Sequence, residues 1–64
     1  MKKFYLIQVT NDDVTLYSFE AKDWSEAWEI VDTELARNDS MDVLLDRNDL
    51  ESLYEQIQRA LKEK

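Results

Sequence analysis

The sequence predicts a small α+β domain with the element order ββαβα. Residues 2–10 and 14–21 are rich in aromatic and β-branched residues and are separated by the turn-formers Asn11 to Asp13. That combination is typical of a β-hairpin. Further along, Asp23 and Asp46 each precede a run with apolar residues at helical spacing. A capping aspartate before such a run predicts an amphipathic helix.

The length of the chain sets its expected organisation. We expect the 64 residues to form one domain, residues 1–64. Such a domain buries only about 60% of the surface that its unfolded chain exposes, and we expect a free energy of unfolding of only about 3–10 kcal/mol. The chain has neither Cys nor His, so neither a disulfide nor a zinc site is available to strengthen it. Stability must come from the packing of side chains, and dimerisation would bury additional surface.

The length of the hairpin loop decides which side chains share a face of the sheet. A three-residue loop pairs Ile7 with Tyr17 and Tyr5 with Phe19. A two-residue loop mixes these two sets and remains open as an alternative. We favour the three-residue loop because it gives the greater contrast between the two faces.

Residues 23–37 form the clearest helix of the chain. Asp23 and Glu26 make the D-x-x-E pattern of a capping box. At ~100° per residue, Ile30 falls on the shoulder of the apolar side. The stripe expected to cover the core is Trp24, Ala27, Trp28, Val31 and Leu35.

A short apolar run and a second helix complete the fold. Residues 41–45, MDVLL, predict a third strand, and an N-terminal extension of the last helix is the alternative. Asp46 then caps the second helix, with Asp49 at its third position. The apolar stripe of this helix is Leu50, Leu53, Tyr54, Ile57 and Leu61.

Connecting these elements predicts a three-stranded antiparallel or mixed sheet of strand order 2-1-3. Strand one is central, and both helices are expected to pack on one face of the sheet. The other face then has no third layer to cover it. The apolar residues expected on this open sheet face are Phe4, Leu6, Val14 and Leu16, with Leu44 beside them.

Composition argues against several classes of function. Without His or Cys the commonest catalytic bases and nucleophiles are missing, and without Gly so are phosphate-binding loops. Residues 46–50 begin like a calcium loop, but Leu50 stands where a fifth-position ligand is needed. We therefore expect no enzyme activity, cofactor or metal. Fifteen acidic and eight basic residues give a net charge of −7, which disfavours direct binding to nucleic acid or anionic membranes.

No signal peptide or membrane span is evident in the sequence, which predicts a cytoplasmic protein. Two surfaces are then candidates for binding. The first is the acidic side of the first helix, which is expected to dock on a basic protein surface unless it is simply a solvated face. The second is the open sheet face, which predicts a homodimer or a contact with another protein. The acidic surface consists of Glu26, Glu29 and Asp32 of the helix, with Asp12 and Asp13 of the hairpin loop expected nearby.

In size, acidity and lack of catalytic groups, the chain resembles small phage-encoded inhibitors such as anti-CRISPR proteins and inhibitors of DNA glycosylases. The resemblance is one of class and rests on no motif, so it transfers no residue roles. It implies a viral DNA mimic that presents carboxylates where a target expects DNA phosphates. The expected partner is the basic surface of a nucleic-acid-handling protein. The alternative is a homodimeric interaction domain that associates through the open sheet face.

Overall fold

The computed structural model describes residues 1–63, and its elements follow the predicted order ββαβα. The sheet has the strand order β2-β1-β3, with β1 antiparallel to both neighbours. The α+β fold, the strand order and the third strand are thus confirmed. The elements are the strands β1 (Lys2–Val9), β2 (Val14–Ala21) and β3 (Met41–Asp46), the helix α1 (Trp24–Ile30) continued by a π-helical segment (Val31–Leu35), and the helix α2 (Arg47–Lys62).

The hairpin adopts the register of the shorter loop, so the favoured three-residue register is wrong. Ile7 pairs with Leu16 rather than with the predicted Tyr17. The reason lies in the turn, where the backbone N–H of Thr10 donates to the carbonyl oxygen of Asp13 at 2.8 Å. The hydroxyl of Thr10 also accepts from the N–H of Asp13 at 3.1 Å. These bonds fix Thr10 opposite Asp13 and leave two residues to make the turn.

The register inverts the predicted orientation of β1. Phe4 and Leu6 are fully buried under α1, so their predicted place on an open sheet face is wrong. A shift of one residue in strand pairing exchanges the side chains of the two faces. The face of β2 that carries Tyr17 and Phe19 does pack on the core, as predicted. The buried apolar residues are Phe4, Leu6, Ala21, Ala27, Val31 and Leu44.

Helix α1 begins with the predicted capping box. Asp23 Oδ1 accepts a hydrogen bond from the N–H of Glu26 at 2.9 Å. Glu26 Oε1 in turn accepts from the N–H of Lys22, one residue before the cap, at 2.8 Å. Two backbone donors that the helix cannot satisfy are therefore satisfied by side chains.

The buried stripe of α1 is rotated from the predicted one. It is centred between Ala27 and Val31, which are buried, so Trp28 and Ile30 fall on opposite shoulders about 80° from its centre. Ile30 packs against the core, whereas Trp28 is 42% exposed. Trp24 is 39% exposed, although its ring packs edge-on against Phe4 with centroids 4.9 Å apart. The two tryptophans therefore border the core rather than fill it.

The first helix also ends earlier than predicted and widens before it ends. The segment Val31–Leu35 is π-helical, and in it the Thr33 hydroxyl donates to the carbonyl oxygen of Glu29 at 2.9 Å. A hydroxyl bonded back into the preceding turn is a known cause of local helix distortion. Gln8 Nε2 then donates to the carbonyl oxygen of Leu35 at 2.7 Å and ties the end of the helix to β1.

Helix α2 follows β3 without a connecting loop. Asp46 is both the last residue of the strand and the cap of the helix, and its Oδ1 accepts from the N–H of Asp49 at 2.8 Å. The apolar side of α2 faces Tyr5, Ile7 and Leu16, which lie on the side of the sheet away from α1. The prediction that both helices pack on one face is therefore wrong: α1 and α2 lie on opposite faces.

The second helix is held loosely. No residue of α2 is buried, although Leu50 and Leu53 are half-buried. No helix among residues 1–63 combines the length and the apolar character that crossing a bilayer requires. The fold therefore consists of a compact core between the sheet and α1, and a second side on which apolar surface stays accessible.

Candidate functional site

The acidic surface predicted from the sequence, which we call the acidic ridge (Glu26, Glu29, Asp32, Asp12 and Asp13), follows α1 toward the hairpin loop. Helix α1 starts beside Phe4, near one end of the sheet, and its π-helical extension reaches Gln8 near the other end. The hairpin loop projects from that second end, beyond Val9 and Val14. The fold therefore brings the two sequence-distant parts of the ridge toward the same end of the molecule.

The members of the acidic ridge do not have equal roles. Glu26 is half-buried and bonded to the backbone of Lys22. Asp13 Oδ1 accepts from the N–H of Val14 at 2.9 Å. Both carboxylates stabilise the fold, so they are less available to a partner. Among residues 1–63, the exposed carboxylates of Glu29, Asp32 and Asp12 accept no hydrogen bond and form no ion pair, and these three remain the strongest contact candidates.

The charge of the chain is distributed unevenly between its two parts. Residues 1–46 carry four basic and eleven acidic side chains, which accounts for the whole net charge of −7. Residues 47–64 carry four of each and are neutral. Within the described part of the chain, the only ion pair joins Arg47 to Glu51 at 3.4 Å, so no lysine or arginine there neutralises the acidic ridge.

Basic side chains gather at the end of the sheet away from the hairpin loop. Lys2, Lys3 and Arg47 line a shallow pocket there, together with Asp46 and Asn48. Lys2, Lys3 and Arg47 thus lie at the end of the strands where Asp46 and Glu20 also lie, and the hairpin aspartates lie at the other end.

The second candidate surface is an apolar groove between α2 and the sheet. Of the four residues predicted for the open sheet face, Val14 and Leu16 line it and are 65% and 57% exposed, whereas Phe4 and Leu6 do not contribute. Met41 and Val43 of β3 lie on the same face and are also exposed. We call this surface the α2 groove; it is lined by Ile7, Val14, Leu16, Leu50, Leu53, Tyr54 and Ile57.

Sequence reasoning missed the contribution of α2 to this groove. Tyr54 is 61% exposed and Leu61, one turn beyond Ile57, is 72% exposed. Their spacing was visible in the sequence, but an amphipathic stripe normally indicates a face that packs on the core. The sequence did contain one signal, which is the number of its apolar faces: the strands and helices together carry more apolar faces than one small core can cover.

Comparisons with known proteins give no further assignment. No protein-family model matches the sequence, and no curated protein or solved structure matches the chain. Residues 1–63 contain no group of three or more acidic, His or Cys side chains placed to hold a metal ion. The two surfaces described above are therefore the basis for a functional proposal.

Proposed function

We propose that this chain is a non-enzymatic cytoplasmic protein that acts by docking its acidic ridge on a basic surface of another protein. The observation that carries the proposal is the segregation of charge. The full net charge of −7 lies in residues 1–46, and Glu29, Asp32 and Asp12 have no ionic partner among residues 1–63. The absence of His, Cys and Gly from the sequence supports a binding role over a catalytic one.

The expected partner is a nucleic-acid-handling protein. Such proteins present clusters of Lys and Arg that neutralise phosphates. Exposed carboxylates are negatively charged, as phosphates are, and accept hydrogen bonds from the same Lys and Arg side chains. Docking of the ridge would then block access of nucleic acid, which is the action of an inhibitor that mimics DNA. Small phage-encoded inhibitors provide the precedent for this mode of action, and a viral origin is part of the proposal.

Electrostatic docking of this kind predicts a defined dependence on salt. The carboxylates of Glu29, Asp32 and Asp12 are exposed, so the surrounding ions screen them over about 8 Å at physiological ionic strength. Complementary charges mainly accelerate association, and like charges placed opposite each other cost several kcal/mol. Reversing two ridge charges should therefore weaken binding by at least about tenfold.

The test uses two variants with the same total change in net charge. Glu29→Lys with Asp32→Lys changes the ridge, and Glu55→Lys with Glu63→Lys changes α2 and the residue that follows it. The immobilised proteins are exposed to cell lysate at low and high salt, and bound proteins are eluted with double-stranded DNA. We expect the wild type and the α2 variant to retain proteins that salt and DNA release, and the ridge variant to lose them.

Two results would contradict the proposal. Captured proteins that stay bound to the ridge variant would show that the acidic ridge is not the contact surface. Captured proteins that neither salt nor DNA releases would argue against a partner that normally binds nucleic acid. Circular dichroism of both variants controls for loss of folding, which is not expected because all four substituted residues are exposed.

A further inference from the structure

The apolar side of α2 is only partly covered by the sheet, because the α2 groove between them is open. A helix of 16 residues is only marginally stable in water by itself and normally gains its stability from a buried apolar face. None of the residues of α2 is buried, and Tyr54, Ile57 and Leu61 are 61%, 47% and 72% exposed. Accessible apolar surface of this extent commonly marks a contact site.

We propose that a second copy of this chain closes the α2 groove, with the two α2 helices packed antiparallel about a two-fold axis. The inference goes beyond the proposed function, because it uses a different face of the molecule. Three features favour a second copy over an unrelated protein: the neutrality of α2, the position of the acidic ridge, and the charge pattern beside the apolar stripe.

The neutrality of α2 removes the electrostatic obstacle to self-association. Two chains of net charge −7 repel each other, but residues 47–64 carry no net charge. Helix α1 lies on the opposite face of the sheet from α2. A dimer joined through α2 therefore keeps the two acidic ridges apart by several layers of about 8–10 Å each. That separation exceeds the screening length of about 8 Å at physiological salt.

The charges beside the apolar stripe select the antiparallel orientation. At ~100° per residue, Glu51 and Lys62 lie on the same flank of the stripe, about 100–120° from Leu50, and Asp49 lies on the other flank. A two-fold axis perpendicular to the helices brings like flanks together. With the axis midway between Tyr54 and Ile57, Glu51 of each copy lies within about 3 Å, along the helix axis, of Lys62 of the other.

A parallel arrangement is disfavoured by the same residues. Parallel helices bring opposite flanks together, so Glu51 of one copy would meet Asp49 of the other at the same level. Like charges in that position destabilise a helix pair, and charges at such flanking positions set orientation in paired helices. The antiparallel dimer instead forms the Glu51–Lys62 contact twice.

The surface available is compatible with a specific dimer. A standard interface buries about 800 Å² on each partner, which is roughly 15% of the 5183 Å² accessible surface of the chain. Helix α2 is about 24 Å long, and exposed Val14, Leu16, Met41 and Val43 extend the apolar surface over the adjacent sheet. A contact that covers α2 and this part of the sheet has the required extent.

The first experiment measures the mass of the full-length protein by sedimentation equilibrium, up to roughly millimolar concentration. We expect a reversible dimer with twice the monomer mass. Leu61→Glu places a charge in the stripe at a site 72% exposed in the monomer, and should raise the dimer dissociation constant by at least about tenfold. A wild-type protein that remains monomeric at the highest concentration would overturn the proposal.

The second experiment tests the orientation by exchanging charges. Glu51→Lys and Lys62→Glu should each weaken self-association about tenfold, because each creates two like-charge contacts. An equimolar mixture of the two variants should recover wild-type affinity as a heterodimer, since each of the two contacts then joins a lysine of one chain to a glutamate of the other. Failure of the mixture to recover would overturn the antiparallel contact.

Matched controls separate this proposal from general charge effects and from the acidic ridge. Arg59→Glu changes charge on the far side of α2, about 180° from Leu50, and should leave the dimer unchanged; an equal loss from this variant would contradict the proposed flank contact. Reversal of Glu29 and Asp32 should also leave the dimer mass unchanged. Failure of ridge binding and failure of dimerisation are thus read from different variants.

Discussion

Gln8 offers the sharpest test of how the core is held together. Its side chain is only 1% exposed, and its Nε2 donates to the carbonyl oxygen of Leu35 at 2.7 Å. Because Leu35 offers an acceptor, the amide must present its nitrogen there. The Oε1 atom is consequently buried without a hydrogen-bond partner. Gln8 therefore combines one good hydrogen bond with one unsatisfied acceptor.

These two features have opposite effects on the free energy of unfolding. A typical intramolecular hydrogen bond contributes about 0.5–1.5 kcal/mol, and a buried unsatisfied group costs about 1–3 kcal/mol. Gln8→Leu removes both and adds apolar contact in the core. The carbonyl of Leu35 is only part-buried, so water can satisfy it. We expect the leucine variant to be more stable by about 1 kcal/mol, a rise in Tm of about 4–8 °C.

Gln8→Glu is the matched control because it keeps the shape of the side chain. An ionised carboxylate at this position would be buried and would face the carbonyl oxygen of Leu35, so we expect a loss of several kcal/mol at neutral pH. Burial raises the pKa of such a carboxyl above its unfolded value of about 4.3. The protonated acid can donate to Leu35, so the loss should be absent below that pH and should grow as the pH rises above it.

Thermal and urea denaturation of both variants across pH 3 to 8 provide the measurement, with those limits chosen to bracket the carboxyl pKa of about 4.3. A leucine variant less stable than the wild type by more than about 1 kcal/mol would refute the reasoning. That result would mean that Oε1 has a partner in solution, and the hydroxyl of Thr15, the cross-strand neighbour of Gln8, would be the first candidate.

Two further predictions concern the fold. Leu6→Glu should unfold the protein, because Leu6 is fully buried and the free-energy cost of burying a charge exceeds the free energy of unfolding of a domain of this size. Leu16→Glu should change the free energy of unfolding by less than about 1 kcal/mol, since Leu16 is 57% exposed. Equal behaviour of the two variants in urea denaturation would contradict the observed register. Asp23→Ala should lower stability by about 1 kcal/mol through loss of the cap to Glu26. In the same assay Asp12→Ala serves as the neutral control, and a cap variant as stable as this control would count against the capping role.

The element order followed from local signals in the sequence, and the strand order followed from the way these elements are connected. The capping aspartates, the apolar spacing of the helices and the turn-formers between two strand-like runs each act over a few residues. Short-range interactions of this kind determine where helices and strands begin. Both predicted caps, Asp23 and Asp46, are present with their expected hydrogen bonds.

The sequence did not predict which side chains lie on which face of the sheet, because a shift of one residue in the strand pairing exchanges the two faces. In β1 the run from Phe4 to Ile7 is apolar on both sides, so the pattern does not distinguish inside from outside. The register is fixed instead by Thr10, whose hydroxyl and N–H both bond to Asp13. The fully buried Gln8 could not be inferred either, because its partner is a backbone carbonyl 27 residues away.

The candidate site was predicted only in part for the same reason. The acidic residues of the first helix are polar in any register, and the structure leaves Glu29 and Asp32 exposed as expected. The open sheet face required the correct register, and two of its four residues proved to be core. The direct connection of β3 to α2 at Asp46 agrees with the predicted strand and cap, but no local pattern indicates on which face of the sheet α2 then lies.

The backbone of the described residues contains no positive φ angle, and this has a consequence for how the protein can change. Turns that need left-handed residues restrict their sequence to Gly, Asn or Asp. Here Asn11 and Asp12 occupy the turn without that requirement, and the bonds of Thr10 and Asp13 hold it from both sides. The tip of the hairpin can therefore accept other side chains at Asn11 and Asp12 at little conformational cost, so its sequence can vary while the register of the sheet is kept.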